Sequence, residues 1–194
     1  NPGLSVAKFG AVQWIQVNGA RECDSGTSKI NPGEAMAVVD LLRDKSRRLQ
    51  LEGRVPTSHA HVLVLTFYKA QVTLLEDVLI KAFANGGSKL PDWIRVASVD
   101  AAQGSEANHV LLSCVRDQTL GFLKDNRRLC VALSRAKKSL RVVGDWSLLS
   151  KAPKWKSVAK ESKKEDFELA ALKERHADVA AVLSRYDVLT RTSE

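Results

Sequence analysis

A set of polar residues stands where apolar runs of strand length end and loops begin: Thr66, Tyr68, Ser98, Asp100, Gln103, Glu106 and Arg135. Hydroxyls and free backbone N–H groups at strand ends can hold the phosphates of a single nucleic-acid strand, which makes Thr66, Tyr68 and Ser98 candidates for that contact. Arg135 carries a permanently charged planar fork of donors suited to phosphate oxygens. Other chemistries are not spelled out. The sequence has no G-x-x-x-x-G-K-S/T loop to cradle phosphates, and no H-E-x-x-H, G-x-S-x-G or dinucleotide fingerprint, so a self-sufficient enzyme of those classes is not expected. His59, His61, His109 and His176 lack ligand spacing, and Cys23, Cys114 and Cys130 form no C-x-x-C pair. They read as packing residues, the thiols reduced, with no metal site.

The elements that must position these residues alternate in type. Val12 to Val17 alternates apolar and polar residues, as an outer or half-exposed strand does. Asn31-Pro32-Gly33-Glu34 reads as a helix start, with Asn31 as cap and Pro32 in the first turn, and the helix runs to about Arg48. After polar Pro56-Thr57-Ser58, the run His61 to Thr66 is almost continuously apolar, like a buried parallel strand. A helix with Val72, Leu75, Val78, Leu79 and Phe83 on one face follows and stops at Asn85-Gly86-Gly87. Two more strands are expected at 94–99 and 109–115, a helix at 127–138, and a short strand at 140–145. Strands alternating with helices imply a mostly parallel sheet covered on both faces, with ligands beyond the carboxyl ends of its strands. Beyond Pro153 the chain turns lysine-rich, and Phe167, Leu169, Leu172, Val179, Leu183 and Tyr186 suggest an amphipathic tail helix.

Composition sets the frame. The 194 residues suit one compact α/β domain with an appended helix, and 44% hydrophobic residues supply a core. No run of about 18 uncharged apolar residues occurs, and Asn1-Pro2-Gly3-Leu4 resembles no signal peptide, so an intracellular protein, cytoplasmic or nuclear and without a membrane, is expected. Thirty Lys and Arg against 22 Asp and Glu give +8, which favours polyanionic partners.

The ordered motifs narrow this further. Val99-Asp100-Ala101-Ala102-Gln103-Gly104-Ser105-Glu106, then Leu112-Ser113-Cys114-Val115-Arg116, Gly121-Phe122-Leu123 and Arg127-Arg128-Leu129-Cys130-Val131-Ala132-Leu133-Ser134-Arg135-Ala136-Lys137, resemble motifs V and VI of superfamily 1B helicases. The branch with the nonsense-mediated-decay helicase and senataxin is the nearest in look. Leu65 to Gln71 resembles that branch's "TPY..Q" segment, and Ser25-Gly26-Thr27-Ser28 through Asn31 and Glu34 its preceding loop and helix. The likeness covers residues 12 to 157, with Phe67 where the family has proline and Cys130 where it often has asparagine.

The resemblance implies a fold and a division of labour. Residues 1–150 would be a second RecA-like domain, a P-loop NTPase fold lacking its own P-loop, and 151–194 a helical extension. ATP and Mg²⁺ would be held mainly by a first RecA-like domain of the same parent chain, this chain being a piece of it, since a "YRMHP"-like segment is absent. Arg135 would be the arginine finger on the γ-phosphate, the one catalytic residue. Gln103, Gly104 and Glu106 would approach the nucleotide, and Thr66, Tyr68, Ser98 and Gln103 a single strand of RNA or DNA, with RNA favoured by the resemblance alone. The plainer readings are a tight turn at Gly104, a helix cap at Glu106, a packed ring at Tyr68 and a solvated arginine at Arg135. A catalytically silent module that docks nucleic acid or protein is the alternative to a motor half.

Overall fold

The computed structural model describes residues 12–51 and 61–190. The turn read at Pro56-Thr57-Ser58, the start at Asn1 to Leu4, and His59 lie outside them. The elements are β1 (Val12–Asn18), β2 (Cys23–Ser25), β3 (Ser28–Ile30), α1 (Pro32–Leu51), β4 (Val62–Thr66), α2 (Lys69–Phe83), β5 (Ile94–Ser98) and β6 (Ala107–Ser113). There follow a 3-10 turn (Gly121–Lys124), α3 (Asn126–Ser134), β7 (Ala136–Val143), α4 (Trp146–Leu149), α5 (Pro153–Glu161), β8 (Ser162–Glu168), α6 (Leu169–Arg175) and α7 (Ala177–Thr190).

Six strands form one sheet in the order β5-β4-β6-β7-β1-β8, every neighbouring pair parallel, as the expected RecA-like α/β fold requires. Successive side chains along a strand face opposite ways, so each buried strand feeds two cores. Trp14, Leu65, Leu112 and Val142 pack with Leu129 of α3, Leu149 of α4 and Trp155 of α5. Ile15, Val64, Leu111 and Val143 pack on the other face with Val38 of α1, Leu75 of α2 and Leu183 of α7. On the first face the Trp14 and Trp155 rings meet edge-on at 6.0 Å, and both indoles donate hydrogen bonds to carbonyls, of Gly144 at 2.9 Å and Leu123 at 3.0 Å. Large rings with satisfied N–H groups make this a costly place to cut: Trp→Ala in such a setting removes about 3–5 kcal/mol.

Three expectations change. β1, whose alternation reads as an outer or half-exposed strand, is not outer but lies between β7 and β8. Its polar residues serve the neighbours: Gln13 accepts from Arg141 at 2.9 Å and donates to Glu165, and Gln16 accepts from the Trp146 N–H at 2.7 Å. The helix read over 127–138 ends at Ser134, with Arg135 as its C-cap, because residues 136–138 already belong to β7. The single tail helix is instead α5, the strand β8, α6 and α7. β8 pairs with β1 along its whole length, and Leu172, Val179 and Leu183 beyond it are fully buried in the second core.

Candidate nucleotide and nucleic-acid site

The sequence-selected residues gather at two opposite ends of the sheet. Glu106 immediately precedes β6 and Arg135 immediately precedes β7, so both stand at the amino ends of those strands. Ala107 and Ala136 are register partners, and the Ala107 N–H donates to the Arg135 carbonyl at 3.0 Å. Thr66 and Ser98 close β4 and β5 at the other end, and Tyr68 follows Thr66 by two residues. The length of β6, about 3.3 Å per residue or roughly 20 Å, lies between the groups. The expectation of one ligand edge beyond the carboxyl ends is corrected accordingly: Glu106 and Arg135 lie at the amino ends, with Gln103 and Gly104 on the way, because residues 99–106 carry the chain back along the sheet without forming a helix.

That return segment lies along α3 and is tied to it twice. Near the carboxyl end Arg128 donates to Asp100 at 3.0 Å, and at the amino end Arg135 Nη1 donates to the Ser105 carbonyl at 3.1 Å. Arg135 also donates through Nε to the Val131 carbonyl at 3.0 Å and through Nη2 to Ser134 Oγ at 2.8 Å. No carboxylate among the described residues pairs with it. Glu106 is exposed and meets Lys137 at 3.1 Å. Gly104 has φ +80°, and a Cβ there would meet nothing within 4 Å. Its left-handed backbone is what calls for glycine, and the space beside it stays open to an approach from outside the chain.

At the carboxyl ends, Thr66, Ser98 and Ser113 are register partners across three strands. Thr66 is fully buried, its Oγ1 accepting from the Tyr68 N–H at 3.4 Å, so its hydroxyl shapes the turn into α2. Tyr68 is also buried, and its hydroxyl accepts from Arg116 at 3.4 Å. Ser98 is the most exposed of the three, its Oγ accepting from the Ala101 N–H at 3.2 Å.

Behind this rim run two polar networks. Asn31 caps α1 through Glu34 N–H at 3.1 Å, and its backbone N–H and carbonyl pair with the side chain of Gln71 at 2.8 and 3.2 Å. The Glu34 carboxylate does not close a capping box. It accepts from Ser113 Oγ at 2.7 Å and from the Val115 N–H at 2.9 Å. Burial pushes the Glu34 carboxyl up to about 8, against the pull of those bonds. Val115 itself has φ +72°, a strained value for a β-branched residue, and Glu34 holds it there. The second network centres on Glu22, which accepts from Arg116 Nε at 3.0 Å and from the Asp117 N–H at 2.8 Å. Burial raises the Glu22 carboxyl, but the backbone N–H groups of Asp117 and Gln118 together with Arg116 and Lys29 outweigh it, and the net shift is downward.

Residues 4–147 match the family model of an AAA domain. The chain belongs to that family. It is a second RecA-like domain of the superfamily 1, nonsense-mediated-decay helicase type. Among its sequence relatives are the Regulator of nonsense transcripts 1 homolog of Arabidopsis thaliana, 36% identical over 151 residues, and the ATP-dependent helicase NAM7 of Saccharomyces cerevisiae, 35% identical over 149. These matches cover 75% and 73% of this chain but only 11% and 14% of the relatives, so the chain spans a small part of their length. The C-terminal domain of a possible DNA helicase from Lactobacillus plantarum WCFS1 shares the fold, with a TM-score of 0.50, 17% identity, and coverage of 84% of this chain and 96% of that one.

Within this RecA-like domain, two residues of weight were not legible as site residues. Glu22 sits in a loop with no local signal and finds its partners 94 to 96 positions away. Gln71 lies inside the quoted segment, but only the fold shows it bridging Asn31 to Ser113, the latter at 3.0 Å. At the amino end, an uncompensated guanidinium, an open glycine turn and an exposed carboxylate form a set able to receive the phosphates and ribose of a nucleotide. Among the described residues no group of three His, Cys, Asp or Glu could hold a metal, and no helix is long and apolar enough to cross a membrane.

Proposed function

We propose that this domain is the second motor half of an ATP-dependent helicase, completing a nucleotide site with Arg135 and contacting single-stranded nucleic acid at its carboxyl-end rim. The observation that carries the reading is the setting of Arg135. Its guanidinium is positioned by two carbonyls and a hydroxyl, all neutral acceptors, so its charge is oriented and not cancelled. Such a group stabilises charge that develops on a transferring phosphoryl group, and arginine fingers are worth about 10³ to 10⁵ in rate. Hydrolysis of ATP supplies the free energy. Arg135 contacts the γ-phosphate, Gly104 lets the backbone come close to the phosphates, and Glu106 accepts from the ribose. Mg²⁺ and most phosphate contacts belong to a first RecA-like domain. Gln103 stands between the nucleotide and the strand. Ser98 and the backbone around Thr66 and Tyr68 hold the strand's phosphates, Thr66 and Tyr68 by fixing the turn. The names of the sequence relatives, which regulate transcripts, favour RNA and an intracellular setting.

The test is ATP hydrolysis by the intact protein, with and without single-stranded RNA, as wild type and as Arg135→Ala. We expect strand-stimulated hydrolysis that falls at least about 10³-fold in the variant, with thermal stability and RNA binding kept. Arg135→Lys should not rescue it, because an ammonium lacks the fork. Unchanged hydrolysis in Arg135→Ala would remove the finger. A wild type without hydrolysis would leave a silent docking module.

A further inference from the structure

Phe122 is the exposed large hydrophobic residue of the described chain, 54% accessible. A single exposed apolar side chain is ordinary on a protein surface. What surrounds this one is not ordinary. Its ring centroid lies 5.5 Å from that of Tyr68, with the planes inclined by 37°. The Arg128 guanidinium carbon stands 5.1 Å over the Phe122 ring, and that of Arg116 stands 5.9 Å over the Tyr68 ring. Gly121, with φ +48°, presses against this group: a Cβ there would come within 2.7 Å of the Tyr68 hydroxyl and 2.8 Å of Arg116 Nη1. On the other side Leu123 is buried, and its carbonyl is held by the Trp155 indole at 3.0 Å. The ring is thus displayed by backbone fixed on both sides. Exposed Lys124 and Arg127 add positive charge, partly offset by Asp100 and Asp125.

We propose that Phe122, flanked by Arg128, is a base-stacking subsite for single-stranded nucleic acid. The proposal rests on the reading of the carboxyl-end rim as the strand-binding face and adds to it a contact with bases. Ser98 and the neighbouring backbone see only phosphate and sugar. Phe122 offers a π surface to a base, and exposed Lys124 and Arg127 offer charge to the phosphates on either side. Stacking accepts every base, so the subsite gives grip without sequence preference. A preorganised ring loses little freedom on binding, since the turn has already fixed its position.

The experiment compares oligothymidine with an abasic deoxyribose-phosphate oligomer of equal length, titrated into the intact protein as wild type, Phe122→Ala and Phe122→Trp. We expect Phe122→Ala to weaken oligothymidine binding about ten-fold and to leave abasic binding and the melting temperature unchanged. Phe122→Trp should keep the affinity, and its emission, taken as the difference from wild type, should be quenched by oligothymidine and not by the abasic oligomer. Equal loss on both oligomers would overturn the proposal and point to the ring docking another protein segment. Wild-type affinity for oligothymidine in Phe122→Ala would overturn it alone. A folded wild type that binds neither oligomer would overturn the strand-binding face itself.

Discussion

Arg116 and Arg135 stand at opposite ends of one sheet and are held in opposite ways. Arg116 is 12% exposed and tied to the carboxylate of Glu22, which is 2% exposed, so its charge is spent within the chain. Arg135 is held by carbonyls and a hydroxyl, which orient it and leave its charge for something else. A charge consumed by a buried carboxylate serves architecture. A charge held by neutral acceptors can meet an anion that arrives. The carboxyl-end rim is therefore a braced platform, and the amino-end corner is a poised one.

The comparison can be broken at either end. After the Arg135→Ala effect on hydrolysis, the largest change should come from Glu22→Ala, which strands Arg116 and the N–H groups of Asp117 and Gln118 in a buried place. Removing one partner of such a pair costs about 3–5 kcal/mol. Chemical unfolding should show that loss, while hydrolysis measured where the variant is folded should stay near wild type. A collapse of hydrolysis in the folded variant would mean the two ends do not divide the labour as described.

A smaller effect is expected at Gly104→Ala. The only intramolecular penalty is the left-handed backbone, about 1–2 kcal/mol, because no neighbour would meet the new Cβ. If the open space beside it receives a nucleotide, KM for ATP should rise by more than the stability loss explains. A KM unchanged in a folded variant would assign Gly104 to the turn alone.

A further test concerns pH. A carboxyl raised to about 8 in the folded chain from an ordinary value of 4.5 binds its proton more tightly when folded. Its contribution to stability is complete below about pH 4.5 and is lost as pH rises through 8. Thermal melts across that window should show the wild type losing stability relative to Glu34→Gln, whose amide oxygen can still accept from Ser113 and Val115. Parallel curves would remove the buried proton from the account. Glu22 has the opposite sign, since its lowered carboxyl adds stability that disappears only in acid below its unfolded value.

How much of this could be read beforehand follows from what each segment carries locally. β4 declared itself because both faces of an inner parallel strand are buried, which leaves an unbroken apolar run, whereas the strand expected at 109–115 runs Ala107–Ser113, since Asn108 hides its start and Val115 already leaves it with φ +72°. The α1 cap was legible because Asn31, Pro32 and Glu34 act within one turn, yet the destination of the Glu34 carboxylate was not, being Ser113, 79 positions away. β8 escaped because Ser162–Glu168 is an edge strand of mostly charged residues whose only argument for being a strand is the partner β1. The alternation of β1 left outer and half-exposed positions open for the same reason, since its second neighbour, β8, gives no signal of its own. The motifs pick out Gln103 to Glu106 and Arg135 along the chain, but which end of the sheet they occupy depends on the path of residues 99–106.

That path has a mechanical side. Residues 99–106 are coiled into linked turns, the Ala102 N–H donating to the Ser98 carbonyl and the Ser105 N–H to the Ala102 carbonyl, both at 3.0 Å, and the coil is pinned to β4 by the Val99 N–H on the Thr66 carbonyl at 2.9 Å and to Arg135 at the other end. Turns fastened at both ends hold slack in reserve, so a displacement at Ser98 is first taken up in their own hydrogen bonds and reaches Arg135 only once those yield.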